Sequence, residues 1–454
     1  MFARYSAFVR NGISLLGTGI ATAAAVLFVV LVLLDFAGYL ANPYLGLLLF
    51  VGVPTVFVGG LLLIPLGVWR ESRLRRRDPS RPVADWPVLD LRNARTRTIT
   101  ILVFVLTVIN LVIISVATYG GVHYMETTEF CGQVCHTTME PEFVAHHNNP
   151  HAKVPCVDCH VGPGVDALIE SKLAGTRQLW KVLRNDIPMP VPPPTGNRRT
   201  KPATCAQCHW PEKFHGDKVR VIREFADDEA NTESKTTLVL HVGGGNARLG
   251  SGTGIHWHMN VDNVVEFAAD DAKKETIPYV RVTDRSGRTR EFLVDGAVAP
   301  GGAAAPLHRM DCMDCHNRPA HTLAPTAERA VNQAMAEGRI PRSLPFVHRE
   351  AVAALKGTYA SRDAATAGIA RALSGFYMDK TSDRAAVGQA IAGAQDTWSR
   401  NVFPTMRVSW GTYPNHLGHL DAPGCFRCHD DNHKAKDGTV IRQDCELCHA
   451  MPSE

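Results

Sequence analysis

Three long apolar stretches dominate the first 120 residues of the chain. They run from Ile13 to Leu34, from Leu45 to Val68 and from Ile99 to Tyr119. Each reaches the roughly 20 residues that an α-helix needs to cross a bilayer. A cleavable signal peptide would have a shorter apolar segment, and a second span would not follow it almost at once. The pattern therefore predicts a membrane anchor over residues 1–120 with three transmembrane helices (about 13–34, 45–68 and 99–119).

The charged residues between these stretches predict their orientation. Residues 70–97 hold nine arginines, whereas the loop from Asp35 to Tyr44 holds neither lysine nor arginine. Loops rich in Lys and Arg stay in the cytoplasm. Three spans then place the whole region after Tyr119 on the opposite side of the membrane.

The remaining residues, 121–454, show two local patterns. A β-leaning insert covers about residues 235–296, with strand character at Thr237–Val242 and Val264–Phe267 and a hairpin over Tyr279–Val294 that turns at Ser286-Gly287. A helical block covers about residues 325–400. Its Ala-rich periodic segments predict the following helices: Pro325–Glu337, Arg349–Tyr359, Ala364–Tyr377 and Arg384–Arg400.

The twelve cysteines change the picture, because they form six close pairs that are each followed directly by a histidine. Five pairs read Cys-x-x-Cys-His, the attachment signature of c-type haem, and the first has one more residue between its cysteines. The six motifs are Cys131/Cys135/His136, Cys156/Cys159/His160, Cys205/Cys208/His209, Cys312/Cys315/His316, Cys425/Cys428/His429 and Cys445/Cys448/His449. Two thiols bind one porphyrin, and the adjacent imidazole binds its iron.

Structural zinc is the alternative interpretation of these cysteines. Zinc sites combine two Cys or His pairs at set spacings, whereas each pair here has its own histidine and most pairs lie far apart. Six covalent haems c are therefore the expected cofactors. Since haem c is attached in the periplasm, the motifs agree with the predicted orientation.

The expected fold is mainly α and loop-rich, with three transmembrane helices followed by a periplasmic multihaem c domain with a small β insert. The expected location is the bacterial inner membrane, as a multi-pass protein.

Each iron has a second axial position, and fourteen histidines lie outside the motifs. Those close to a motif are the candidate ligands: His151, His321, His419 and His433. The segment Ile255-His256-Trp257-His258, taken as extended, has both imidazoles on one face, and we favour His258 as the ligand. Met139, three residues after His136, is a candidate ligand of the first haem, where a thioether would raise the potential; a methionine packed on the porphyrin is the alternative.

One stretch resembles the NapC/NirT family of membrane-anchored quinol-oxidising cytochromes. The resemblance runs from Phe130-Cys131 through His136 and Met139 to Cys156-Val-Asp-Cys159-His160, and on to Ser171-Lys172 and Trp180. It implies that the first haem accepts electrons from quinol, that Met139 binds its iron and that Lys172 lies near the quinol. This chain differs from the usual pattern in its longer first motif and its three predicted spans.

Further segments look similar to inner-membrane multihaem cytochromes of metal-respiring bacteria: Gly254–His258, Cys315–His321 and Gly424–His429. This resemblance implies a relay from the membrane quinone pool to a periplasmic multihaem cytochrome or a reductase.

The expected function is therefore electron transfer, as a quinol dehydrogenase component (quinol:cytochrome c oxidoreductase). Lys172 is the candidate hydrogen-bond donor to the quinol oxygen, and Glu140, Glu142 and Asp166 are candidate proton acceptors. Two alternatives stay open: a reductase with an open haem site, and a haem-based redox sensor or anchor without quinol activity. The small net charge of +4 does not suggest a nucleic-acid partner.

Overall fold

The computed structural model describes residues 11–36, 52–78, 92, 94–135, 137–162, 165–184, 186–192, 202–210, 213–244, 253–260, 262–271, 273–300 and 307–451. The chain divides into two compact units, residues 1–137 and 138–454.

The first unit contains three long helices, α1 (Gly12–Phe36), α2 (Val53–Arg77) and α3 (Ala94–Met125). The helices α1 and α2 are long and apolar enough to cross a membrane, over Gly12–Leu31 and Val53–Leu74. The third predicted span falls inside α3, but several side chains of that helix lie outside the described residues. Two candidate spans are therefore present, and the third stays a prediction.

Small residues bring α1 and α2 into close contact. The Ser14 hydroxyl is fully buried and donates to the Ile64 carbonyl oxygen at 2.9 Å. A Cβ atom at Gly60 would lie 2.7 Å from the Ala21 nitrogen, and one at Gly17 would lie 2.7 Å from the Gly60 oxygen. Later residues of α1 thus meet earlier residues of α2, so the pair is antiparallel. Close backbone approach at small residues is typical of helix packing in membranes.

The first haem motif follows α3 on a wider helical turn. Phe130–Cys135 forms a π-helix, and buried Phe130 packs edge-on against Tyr124 at 5.3 Å between ring centres. A π-turn takes one more residue than an α-turn and often occurs at functional sites. The longer spacing of this motif is accommodated by that turn.

Two antiparallel sheets lie in the described part of the second unit. Their strands are β1 (Asp217–Phe225), β2 (Glu233–His241), β3 (Val264–Ala268), β4 (Tyr279–Thr283), β5 (Thr289–Leu293), β6 (His308–Arg309), β7 (Lys434–Ala435) and β8 (His449–Ala450). The first sheet has the order β1-β2-β8 and the second the order β6-β3-β4-β5-β7. The predicted hairpin is β4–β5, in register from Tyr279↔Leu293 to Thr283↔Thr289. Gly287 has the positive φ of +80° that its turn requires.

The helical block forms the largest hydrophobic core among the described residues. Its helices are Ala327–Ala336, Val347–Leu355, Arg362–Tyr377 and Arg384–Ser399, each within a few residues of its predicted bounds. Three of them begin at a side chain that accepts a backbone N–H, namely Thr326, Ser361 and Asp383. The β1–β2 hairpin joins this core, because Asn332 Oδ1 accepts from the Phe225 amide at 2.9 Å.

Candidate haem-binding sites

Each of the five standard haem motifs begins with or contains a short helical turn. The turns are Cys156–His160, Pro202–Cys205, Cys312–Cys315, Gly424–Arg427 and Cys445–Leu447. On an α-helical turn, residues three apart are surface neighbours. None of the described cysteines from Cys159 to Cys448 takes part in a disulfide.

The two predicted attachment cysteines of the third motif differ in their exposure. Cys205 is half-buried, whereas Cys208 is exposed, as is Cys445 at the start of the sixth motif. The short helix Pro202–Cys205 ends before Cys208, so the Cys208 side chain lies at the surface of the chain and not in its core. The Cys208 amide still donates to the Cys205 oxygen at 3.2 Å, which keeps both residues on one turn. Haem attachment through Cys208 stays a prediction from the motif spacing.

Polar side chains outside the cysteine pairs fix two of these turns. Asp311 and Asp314 form a capping box around Cys312–Cys315, and buried Asp314 also accepts from Lys274 Nζ at 2.7 Å. The buried Arg427 guanidinium donates to three carbonyl oxygens, those of Gly424, Lys274 and Asp314, at 2.7, 2.9 and 2.8 Å. Arg427 therefore ties the fifth motif to the fourth.

Each motif histidine of these five faces a second histidine. The ring centres are 5.9–6.4 Å apart in the pairs His160–His321 (6.1 Å), His209–His151 (6.1 Å), His316–His256 (6.4 Å), His429–His258 (5.9 Å) and His449–His419 (6.2 Å). No two pairs share a residue. Histidines from distant parts of the chain, such as His160 and His321, are brought together by the fold.

These separations fit an iron ion between the two rings. Because an imidazole nitrogen binds a transition-metal ion at about 2 Å, two imidazoles on opposite faces of one iron have ring centres about 6 Å apart. The five pairs meet this requirement, and each includes the histidine that directly follows a cysteine pair. The residues present therefore fit haem c with bis-histidine ligation. Bound haem would supply a redox-active iron, and the chain would hold it with the paired imidazoles and the motif thiols.

Hydrogen bonds at Nδ1 leave the other nitrogen of several facing histidines available for iron. Backbone oxygens lie near Nδ1 of four rings: Glu142 O near His321 (3.0 Å), Val242 O near His256 (2.8 Å), Ile255 O near His258 (2.9 Å) and Arg442 O near His429 (3.0 Å). A carbonyl can only accept, so Nδ1 carries the proton and Nε2 is the free ligand atom.

Burial keeps several of these rings neutral. It lowers the pKa of His160, His258 and His316, and it lowers the pKa of His321 to about 3, with the Arg318 guanidinium adding to the effect. Iron ligation needs the neutral ring.

The predicted ligands fall into three groups in the structure. His151, His258, His321 and His419 each face a motif histidine. His433 does not, because its ring lies in the core with Nδ1 at 2.8 Å from Asp430 Oδ1 and Nε2 at 2.7 Å from the Ile277 oxygen. Both nitrogens are thus occupied, and we exclude His433 from the proposed ligand set. Half-buried Met139 precedes the helix Glu140–His147, but its motif histidine, His136, lies outside the described residues.

His256 faces a motif histidine, although the sequence favours its neighbour His258 as the ligand. An extended segment would have aimed both imidazoles at one side, but Ile255–Met259 is a 3-10 helix, in which they diverge. The available signal in the sequence is a pair of glycines, Gly244 and Gly254, that both precede this helix. A Cβ atom at Gly244 would lie 2.2 Å from the Trp257 nitrogen, and one at Gly254 would lie 2.6 Å from the His241 oxygen. Both have a strongly positive φ.

The predicted proton-handling residues are only partly described. Glu140 pairs with Arg362 at 2.9 Å, and Glu142 lies 3.6 Å from Arg318. Burial raises the pKa of Glu142, and Arg318 opposes that effect. The side chains of Asp166 and Lys172, in the helix Val165–Leu183, lie outside the described residues.

Known proteins that are similar to this chain identify its family. Residues 93–190 match the N-terminal region of the NapC/NirT cytochrome c family. The chain is also 38% identical to the cytochrome c-type protein ImcH of Geobacter sulfurreducens over 451 residues, which cover 98% of this chain and 88% of the relative. The chain is a c-type cytochrome of the NapC/NirT family. This confirms the resemblance found in the sequence. No solved structure matches the chain.

Family membership gives this cytochrome covalently bound haem c and a role in electron transfer. The two apolar helices at the N-terminal end agree with anchoring in a membrane. The matched region, 93–190, includes the first two haem motifs.

Proposed function

We propose that this cytochrome oxidises quinol at the periplasmic face of the bacterial inner membrane and passes the electrons through six covalent haems c to a periplasmic cytochrome or reductase. The five facing histidine pairs support the electron relay, and the match of residues 93–190 to the NapC/NirT family supports quinol as the electron donor. Two imidazoles at each of these sites would leave no position at the iron for a substrate, so the five sites fit electron transfer. The protein contributes spacing, axial ligands and burial, which tune the potentials.

This arrangement favours electron transfer over the reductase alternative. A reductase needs an iron with an open axial position, and among the five motif histidines that the structure describes, each has a partner imidazole. The first motif is the remaining candidate for different ligation, with Met139 as its proposed second ligand. A haem-based sensor or anchor without quinol activity would stay oxidised in the presence of quinol, so the experiment below also separates that alternative.

The membrane arrangement is proposed from sequence and helices together. The arginine-rich segment 70–97 would lie in the cytoplasm, and three spans would place the cysteine pairs on the other side. Haem attachment takes place there, so the two arguments support one topology. The first motif would then lie at the membrane surface, since α3 ends at Met125 and the motif starts at Cys131.

Quinol oxidation releases two electrons and two protons. The electrons would reduce two ferric irons, one at a time, and the quinol would leave as quinone. Lys172 would donate a hydrogen bond to the quinol oxygen, and Glu140, Glu142 and Asp166 would accept protons and release them to water. Of the two glutamates, Glu140 is the more exposed and Glu142 the more buried.

Reduction by quinol tests the proposal directly. The oxidised full-length protein in detergent is mixed anaerobically with a reduced menaquinol analogue, and the haem α-band is followed. We expect reduction with one quinol consumed per two haems, and a Lys172→Met variant that is reduced at least about tenfold more slowly. Lys181→Met, on an exposed part of the same helix, is the matched control.

Dithionite separates the outcomes of this experiment. It should reduce the native protein and both variants equally, because it does not need the quinol site. Native protein that dithionite reduces but quinol leaves oxidised would overturn quinol oxidation while leaving the haem relay intact. Equal quinol rates for Lys172→Met and Lys181→Met would remove Lys172 from the site.

A further inference from the structure

The short 3-10 helix Ile255–Met259 carries two histidines that point in different directions. A 3-10 helix has three residues per turn, so each residue rotates by about 120° and residues two apart diverge by about the same angle. His256 and His258 therefore project to different sides of one turn. They cannot serve the same iron from the same face.

Each of the two rings meets the histidine of a different motif. His256 lies 6.4 Å from His316 of the fourth motif, with the ring planes 4° apart. His258 lies 5.9 Å from His429 of the fifth motif, with the planes 86° apart. Each separation fits one iron ion between the two rings of its pair. The Nδ1 atoms of His256 and His258 already donate to carbonyl oxygens, which leaves Nε2 of each ring for iron.

We propose that this single turn ligates two irons, that of the fourth haem through His256 and that of the fifth through His258. The proposal rests on the proposed electron-transfer function, because it assumes that haem is bound at both motifs.

The turn is held firmly enough to position two ligands. Trp257, between the two histidines, packs against the sheet core that contains Val265 and Phe267. The backbone at Gly244 passes so close that a Cβ atom there would lie 2.2 Å from the Trp257 nitrogen. Since the turn is fixed on both sides, a shift of one ligand is transmitted to the other.

The motifs themselves lie next to one another. The turn Cys156–His160 of the second motif contacts Pro202–Cys205 of the third, which contacts Cys312–Cys315 of the fourth. The Arg427 guanidinium of the fifth motif donates to the Asp314 carbonyl oxygen of the fourth at 2.8 Å. The fourth and fifth haems would thus lie in a row with the second and third, in the order of the sequence, and electrons that travel along it would pass this turn.

Electron paramagnetic resonance can identify the haem that each histidine serves. Parallel imidazole planes split the iron d orbitals and give rhombic low-spin spectra, whereas perpendicular planes leave two of these orbitals nearly degenerate and give one large g value. The 4° pair should therefore give a rhombic signal, and the 86° pair a signal with a large g value.

The variants are His256→Ala, His258→Ala and the double variant, made in the full-length protein and counted for haem by pyridine haemochrome. We expect each single variant to turn one of the six haems high-spin, and the double variant to turn two. His256→Ala should remove a rhombic signal and His258→Ala a large-g signal. Added imidazole should restore low spin, which would show that the fold is intact. His241→Ala, with its ring on Asp217, is the control and should change no haem.

Several results would overturn the proposal. They are a double variant with no more high-spin haem than a single variant, two single variants that remove the same signal, or singles that stay fully low-spin with all haems attached. High-spin haem that imidazole does not restore would indicate a collapsed site and would count against the proposal. Because spin states are measured without quinol, a native protein that fails to oxidise quinol would leave this test unaffected.

Discussion

Replacing Gly244 by alanine should disturb at least one haem from a position that binds none. A Cβ atom there would lie 2.2 Å from the Trp257 nitrogen and 2.6 Å from the His256 carbonyl carbon. Non-bonded heavy atoms normally approach no closer than about 3.5 Å, so the turn must move by about 1 Å. Metal–ligand distances tolerate only about 0.2 Å. The displaced turn should therefore release at least one of its two histidines from iron.

Backbone strain has to be separated from this displacement. Gly244 has φ of +108°, and an alanine there costs about 1–3 kcal/mol whatever its contacts. Gly287 is a matched control, because it has φ of +80° but a Cβ atom added there would meet no heavy atom within 4 Å. Gly287→Ala should carry the same kind of strain and leave the haems unchanged.

The assay is the amount of high-spin haem per protein, measured by electron paramagnetic resonance at equal haem content. We expect one to two high-spin haems in Gly244→Ala and none beyond the native level in Gly287→Ala. Native spin states in both variants would refute the claim that the turn is held by this contact. Equal increases in both would assign the effect to strain alone.

Three further predictions concern stability. Burial, with Arg427 nearby, lowers the pKa of His416 to about 4, so the stabilising contribution of the neutral ring is present above about pH 6.5 and is lost as the pH falls towards 4. The thermal midpoint of the His416→Gln variant should therefore fall less between about pH 6.5 and 4 than that of the native protein. Parallel curves for the two proteins would contradict this. Arg427→Lys should lower stability by about 2–4 kcal/mol, because an ammonium cannot reach all three carbonyls, whereas the exposed Arg442→Lys should change it little in the same melting assay. Gly60→Val should loosen the packing of α1 on α2 and so lower the resistance of the protein to protease. Gly59→Val is the control, because a Cβ atom at Gly59 has open space around it and should leave the resistance unchanged. Equal resistance of the two variants would count against this packing.

Local signals were sufficient for part of the fold. The helical block follows from Ala-rich periodicity and from capping side chains such as Ser361 and Asp383, which act within one turn. The β4–β5 hairpin follows from alternation around Gly287. Strand β1 was missed, although its sequence alternates, because most of its side chains are exposed and few apolar residues mark a buried face.

The axial ligands needed information that is not local. Nearness to a motif identified His151, His321 and His419, but it also selected His433, whose nitrogens are taken by Asp430 and by a carbonyl 156 residues away in sequence. The role of His256 depends on a 3-10 turn that exists because Gly244 lets two backbone segments approach. Sequence spacing contains neither of these facts.

The central claim is that the chain holds six covalent haems, five of them between two histidines. The most direct measurement is the intact mass of the purified protein together with the count of low-spin haems per chain. We expect a mass increase of six haems and at least five low-spin bis-histidine centres. Fewer than six attached haems, or fewer than five low-spin centres in the native protein, would contradict this claim.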